Sequence, residues 1–133
     1  MDMGNPDGLS VVEHFASEDL PGLLASTTVG VFPSYVEGFG FAVLEKLAAG
    51  IPVVAYDAPG PREMLNGAPW RALTPPGDLN AFSDAVNSVL NAPGNRYAEM
   101  SSQARQIAHG FRWPSIAEQT LTLYKNRLDS LRP

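Results

Sequence analysis

The chain has 133 residues, which is room for one domain of ordinary size. Its 44% apolar content is enough to bury a core, and its net charge of −5 argues against nucleic-acid binding through a basic surface. Without cysteine there can be no disulfide, thiolate nucleophile or cysteine metal site, and no apolar run approaches the roughly 20 residues that span a bilayer. A soluble cytoplasmic domain is expected.

Residues 1–8 are polar, contain Gly and Pro, and lack the basic and apolar regions of a signal peptide. They are expected to form a disordered lead-in, with the folded domain over 9–133. From there, β-rich runs alternate with helical patterns, which predicts an α/β fold with a parallel sheet of about four strands flanked by helices. The first strand is expected over 9–15. A short helix over 19–25 follows, with Ser17 as N-cap and Pro21 in its first turn. The second strand covers 28–32 and stops at Pro33. A loop over 34–39 leads to a helix over 40–49, which Gly50 closes in a left-handed conformation.

Residues 51–56 form a continuous apolar run, as in a strand buried on both faces. The turn over 57–61 follows, then a short helix to about 66 and a strand over 70–73, where Trp70 packs at the start. Asp78 caps a helix through 91 whose apolar stripe is Ala81, Phe82, Ala85, Val86, Val89 and Leu90. The last third is helical, over 95–109 and 114–131, with Pro114 at the first position of the final helix.

Strand–helix–strand units cross over right-handedly, so the loops after successive strands open on one edge. Ligands of such sheets bind outside the carboxyl ends of the strands. The loops 34–39 and 57–61 should therefore face one crevice.

Three features meet there in Glu37-Gly-Phe-Gly-Phe-Ala-Val-Leu-Glu45. Gly38 and Gly40 allow positive φ and close approach to a ligand. They stand at a helix N-terminus, where free N–H groups and the dipole favour an anion such as a diphosphate. Glu37 and Glu45 bracket the segment and can accept hydrogen bonds from sugar and ribose hydroxyls. On the helix, Val43, Leu44 and Leu47 form the buried side, Lys46 marks the wet side, and Glu45 lies between. Either glutamate alone would be an ordinary solvated carboxylate or a helix-dipole partner.

The run from Pro33-Ser-Tyr-Val-Glu37 through Glu45-Lys-Leu-Ala-Ala-Gly-Ile-Pro-Val-Val-Ala55 resembles the Glu-x7-Glu region of family 4 (group 1) retaining glycosyltransferases of the GT-B fold. Asp57-Ala-Pro-Gly-Pro-Arg-Glu63 resembles that family's Gly-rich turn, Leu73-Thr-Pro-Pro-Gly-Asp78 its Pro-Gly-Asp segment, and Phe111-Arg-Trp-Pro114 with Tyr124 its terminal helix. The resemblance covers residues 9–128 in the right order and marks the chain as part of the C-terminal, Rossmann-like, nucleotide-sugar-binding domain. It implies that Glu37 acts electrostatically and positionally on the donor sugar, and that Gly38, Phe39 and Gly40 meet sugar and diphosphate through their amides. It gives Glu45 the nucleotide ribose. The implied reaction moves a sugar from a nucleotide diphosphate sugar to an acceptor, with retention and without a metal or other cofactor, in keeping with the absence of an Asp-x-Asp signature.

The family's basic diphosphate grip lies upstream, whereas none of the nine Lys and Arg residues here precedes Glu37. The N-terminal acceptor domain is expected to be missing, the chain alone to be inactive, and donor binding to be weak. Self-association is expected through an exposed sheet edge or the C-terminal helix. Pro59 and Pro61 flank Gly60 and remove N–H donors from that turn.

The residues leave two other readings. A dinucleotide-binding fragment of an NAD-type oxidoreductase would use Gly38-x-Gly40, but Val43 occupies the third small position and the turn is too long. A non-catalytic interaction module is opposed by the presence of both glutamates. His14 and His109 are isolated and read as structural or surface residues. Glu63 reads as a dipole partner, and Trp113 and Tyr124 as packing aromatics.

Overall fold

The computed structural model describes residues 8–131. Most of the expected disordered lead-in therefore lies outside the described residues. A 3-10 turn, Ser17–Asp19, runs into α1, Leu20–Leu24. Ala16, not Ser17, occupies the N-cap position, and its N–H donates to Asp19 Oδ2 at 3.3 Å.

Three parallel strands form the sheet in the order β1 (Gly30–Phe32), β2 (Val53–Tyr56), β3 (Leu73–Thr74). The register sets Gly30 against Val53 and Ala55 against Leu73. Helix α2 (Phe41–Ala48) joins the first two strands, and α3 (Pro59–Leu65) joins the second to the third. Then come α4 (Leu79–Leu90), α5 (Gly94–Gly110) and α6 (Trp113–Asp129). This is the α/β class the sequence predicts, with its helical last third.

The fourth expected strand is absent, since residues 9–15 are exposed and lack regular structure. A strand needs a neighbour for its backbone N–H and C=O groups. Residues 9–15 pair with none of the three described strands.

The apolar run at β2 makes the centre of the core, with all four of its residues buried. Val43 and Leu47 of α2, Met64 and Leu65 of α3, Ala85 and Val89 of α4, and Met100 and Ala104 of α5 close over it. Full burial of a Val, Leu or Met here contributes about 1.5–3 kcal/mol relative to exposure. Trp70 is buried just before β3, and its indole N–H donates to the Val53 carbonyl at 2.8 Å. Asp78 caps α4 as expected, accepting from Ala81 N at 2.9 Å. Gly50 closes α2 at φ +80°.

The final helix differs from α2 to α5, because α6, like the short α1, buries none of its residues. Trp113, Leu121, Tyr124 and Leu128 stand exposed along it. Trp113 and Tyr124, expected to pack, do not. No helix among the described residues is long and apolar enough to cross a membrane.

Candidate functional site

The chain leaves β1 at Phe32, and Pro33 ends the ladder. The following loop ends at Gly40, which is buried, takes φ +92° and is the N-cap of α2. Only glycine holds that conformation at low cost. The Gly40 carbonyl accepts from Val43 N at 2.9 Å and Leu44 N at 3.2 Å. The N–H groups of Phe41 and Ala42 point out of the first turn, at the positive end of the helix.

Glu37 is half-buried, and its Oε1 accepts from Gly38 N at 3.1 Å. The first glutamate thus holds one of the amides expected to meet a diphosphate. Its Cγ lies close to Gly40, 3.5 Å from where a Cβ would stand. Gly38 is exposed, and Phe39 is half-buried between Phe41 and Phe111, with ring centroids 4.8 and 6.0 Å away. An apolar slot of about 270 Å³ opens on that side, lined by Phe39, Phe41, Leu44, Phe111, Trp113 and Ile116.

Glu45 is exposed one turn into α2, roughly 6 Å along its axis from Phe41. It therefore stands up the helix from Glu37, at the other end of the Gly38–Gly40 loop. Its neighbour Lys46 is not on the wet side. The Lys46 stem packs across Gly30 of β1, its ammonium donates to the Ala42 carbonyl at 3.1 Å, and it is half-buried. Burial lowers the Lys46 pKa, and the negative charge of Glu45 only partly offsets this.

The second loop meets the first directly. Gly60, in the first turn of α3, touches the backbone of Phe39. The turn is braced by Arg62, whose Nε donates to Asp57 Oδ1 at 2.6 Å and whose Nη2 donates to the Asp57 carbonyl at 3.2 Å. That hydrogen bond, then the Asp57 charge, raises the Arg62 pKa. Glu63 is exposed on α3.

Two residues at this edge escaped the sequence reading. Arg62 is a cation beside the crevice, and its i+5 spacing from Asp57 across a Pro-Gly-Pro turn was the available signal. Tyr35 projects from the first loop, 63% exposed, with its ring edge-on to buried Tyr56 at 5.1 Å. Only the β1–β2 register brings those two tyrosines together. Among the described residues no group of three or more His, Asp or Glu could hold a metal ion.

This arrangement is a ledge at the carboxyl edge of a parallel sheet, built by a glycine loop, a helix N-terminus and two carboxylates. The model of the family "Glycosyl transferases group 1" matches residues 2–107. The chain belongs to the group 1 glycosyltransferases. It is 31% identical over 127 residues to an MMP alpha-(1->4)-mannosyltransferase of Mycolicibacterium hassiacum, covering 91% of this chain and 31% of that protein. It is 32% identical over 129 residues to a D-inositol 3-phosphate glycosyltransferase of Kribbella flavida, covering 97% of this chain and 30% of the relative. Among solved structures, a sucrose-phosphate synthase of Thermosynechococcus elongatus, a GT-B enzyme, superposes with a TM-score of 0.72 at 29% identity over 90% of this chain and 30% of that one. The group 1 chain described here spans about a third of the length of these relatives. Family membership leaves the NAD-type reading without support.

Proposed function

We propose that this chain carries part of the donor site of a retaining glycosyltransferase that uses a nucleotide diphosphate sugar. One observation carries the reading: half-buried Glu37, its carboxylate on the Gly38 amide, stands beside the Gly40-capped N-terminus of α2. A donor laid along this ledge places its ribose at Glu45. Its diphosphate lies at the amides of Phe39 and Gly40 and at the first turn of α2, taking the Gly38 amide in place of the Glu37 carboxylate, with its sugar at Glu37. Glu37 then accepts hydrogen bonds from the sugar hydroxyls and opposes positive charge developing at the anomeric carbon. The helix N-terminus stabilises the leaving diphosphate, so the proposed chemistry takes no metal.

Acceptor binding is assigned to a further domain of the whole enzyme, in the cytoplasm, and the basic side chains that grip the diphosphate to an upstream part of this same domain. The 133-residue chain by itself is proposed to be inactive and to bind donor weakly. It is also proposed to self-associate, through α6 in preference to the β1 edge, because α6 presents a regular unburied stripe.

Amide NMR with UDP- and GDP-sugars at millimolar concentration tests the site. Shifts should cluster at Gly38–Ala42 and around Glu45. Shifts confined to the opposite end of the sheet would remove the reading, and micromolar affinity would refute weak binding.

A further inference from the structure

Tyr35 lies two residues before Glu37 on the loop after β1. It is a large aromatic side chain that the core leaves 63% exposed. Yet it is not free to swing. Its ring meets Tyr56 edge-on, with centroids 5.1 Å apart and planes at 60°. Tyr56 is 2% exposed and meets Phe82 of α4 in the same way, at 5.2 Å and 72°. From the other side comes the turn before α4, where Gly77 at φ +81° leaves its Cβ position empty, 3.3 Å from Tyr35 Oη. The exposed ring is thus backed by a buried aromatic, with its hydroxyl lying beside the Gly77 turn.

A ring so held offers a flat apolar surface at small cost in side-chain entropy, since it has only two torsions to lose. A pyranose presents the matching chemistry, with an apolar face of C–H bonds and hydroxyls around its rim. Resting on the donor-site reading, we infer that Tyr35 is the stacking platform for the donor's sugar ring. Glu37 then takes the rim hydroxyls while Tyr35 takes the face. The nucleobase is excluded by position, because it lies beyond the ribose at Glu45, whereas Tyr35 packs toward β2 and the Gly77 turn.

The test compares UDP with UDP-glucose and GDP with GDP-mannose on the intact chain, by saturation transfer and titration, for wild type, Tyr35→Phe and Tyr35→Ala. Tyr35→Ala should weaken the sugar conjugate that binds by about three- to tenfold, as expected for one lost aromatic contact. The matching free diphosphate should be unchanged, and Tyr35→Phe should keep both affinities. In wild type, saturation of the aromatic protons should reach the protons of the hexose ring, a readout that does not depend on how Tyr35→Ala folds. An equal loss for diphosphate and conjugate, no loss for either, or transfer confined to the base would overturn the platform while leaving the donor site standing. If no diphosphate or conjugate binds at all, the donor-site reading falls and this inference with it.

Discussion

The Cα of Gly60 rests against the backbone of Phe39, so that a methyl group at Gly60 would stand 2.3 Å from the Phe39 carbonyl oxygen and 2.8 Å from its Cα. Two loops that follow different strands are thereby in backbone contact. Neither side can yield by turning a side chain. Gly60→Ala must move the α3 turn away from the Glu37–Gly40 loop, which costs about 1–3 kcal/mol as overpacking. Gly40→Ala is lost for a different reason. A Cβ there has ordinary clearance of 3.5 Å, but φ +92° is forbidding, at about 1–2 kcal/mol. Urea unfolding should show both losses, and Gly60→Ala should shift the Phe39 and Gly38 amides of the folded state although it lies about twenty residues away in sequence. An unchanged midpoint for Gly60→Ala would contradict the contact.

What the sequence made legible was local or periodic. The apolar run at β2, the Asp78 cap and the left-handed Gly50 follow from neighbouring residues alone. The order of Glu37, Gly40 and Glu45 along the loop and α2 was legible for the same reason. Residues 9–15 misled because a strand pattern says nothing of whether a partner strand is present. Lys46 misled because its long stem follows the apolar surface over Gly30 while keeping a polar tip. Tyr35 on Tyr56 and Gly60 on Phe39 depend on register between strands and on chain crossings. No periodicity encodes those.

Stability should respond to alkali through opposed groups. Burial raises the Tyr56 phenol above its usual value near 10, and the neighbouring Tyr35 adds to this. Burial also raises Tyr97, with Arg105 opposing. For a raised acid the stabilisation is complete below the unfolded value of about 10 and is lost as pH climbs through the folded one. Lys46 has the reverse sign. Its lowered pKa means that the charged form is penalised in the fold, and the penalty fades as pH rises toward about 10.4. Tyr56→Phe should therefore flatten the loss of stability above pH 10. Lys46→Met, which keeps the stem over Gly30, should gain stability at pH 7, by no more than about 1 kcal/mol once solvent screening is counted. Urea midpoints from pH 7 to 11 decide both; a Tyr56→Phe slope equal to that of wild type would refute the first.

The two glutamates should separate stability from binding. Glu45 is exposed on α2, and alanine suits a helix better, so Glu45→Ala should leave stability within about 0.5 kcal/mol. It should nonetheless weaken nucleoside diphosphates in titration if the ribose lies there. Glu37→Ala releases the Gly38 amide from its carboxylate, and exchange of that N–H should quicken. A protected Gly38 amide in Glu37→Ala would show that something else holds it.

Self-association has a geometry of its own on α6. Ala117, Leu121, Tyr124 and Leu128 follow the 4-3-4 spacing of a coiled-coil seam, on a 17-residue helix that buries nothing. Isolated helices near this length are marginal in water, so an apolar stripe of this kind favours a partner helix. Glu118 follows Ala117, and Lys125 follows Tyr124. In an antiparallel two-fold pair, with Leu121 packed against Tyr124 of the second copy, those positions bring Glu118 of each copy near Lys125 of the other, making two ion pairs per dimer. At about 0.2–1 kcal/mol per exposed pair, Glu118→Lys or Lys125→Glu alone should weaken dimerisation roughly two- to thirtyfold, counting both pairs. The double reversal should restore it, since the charges again oppose. Sedimentation equilibrium at low salt reads all four proteins. A wild-type chain that stays monomeric at millimolar concentration would refute the dimer. A dimer indifferent to both single reversals would place its interface elsewhere, with the unpaired edge of β1 as the remaining surface.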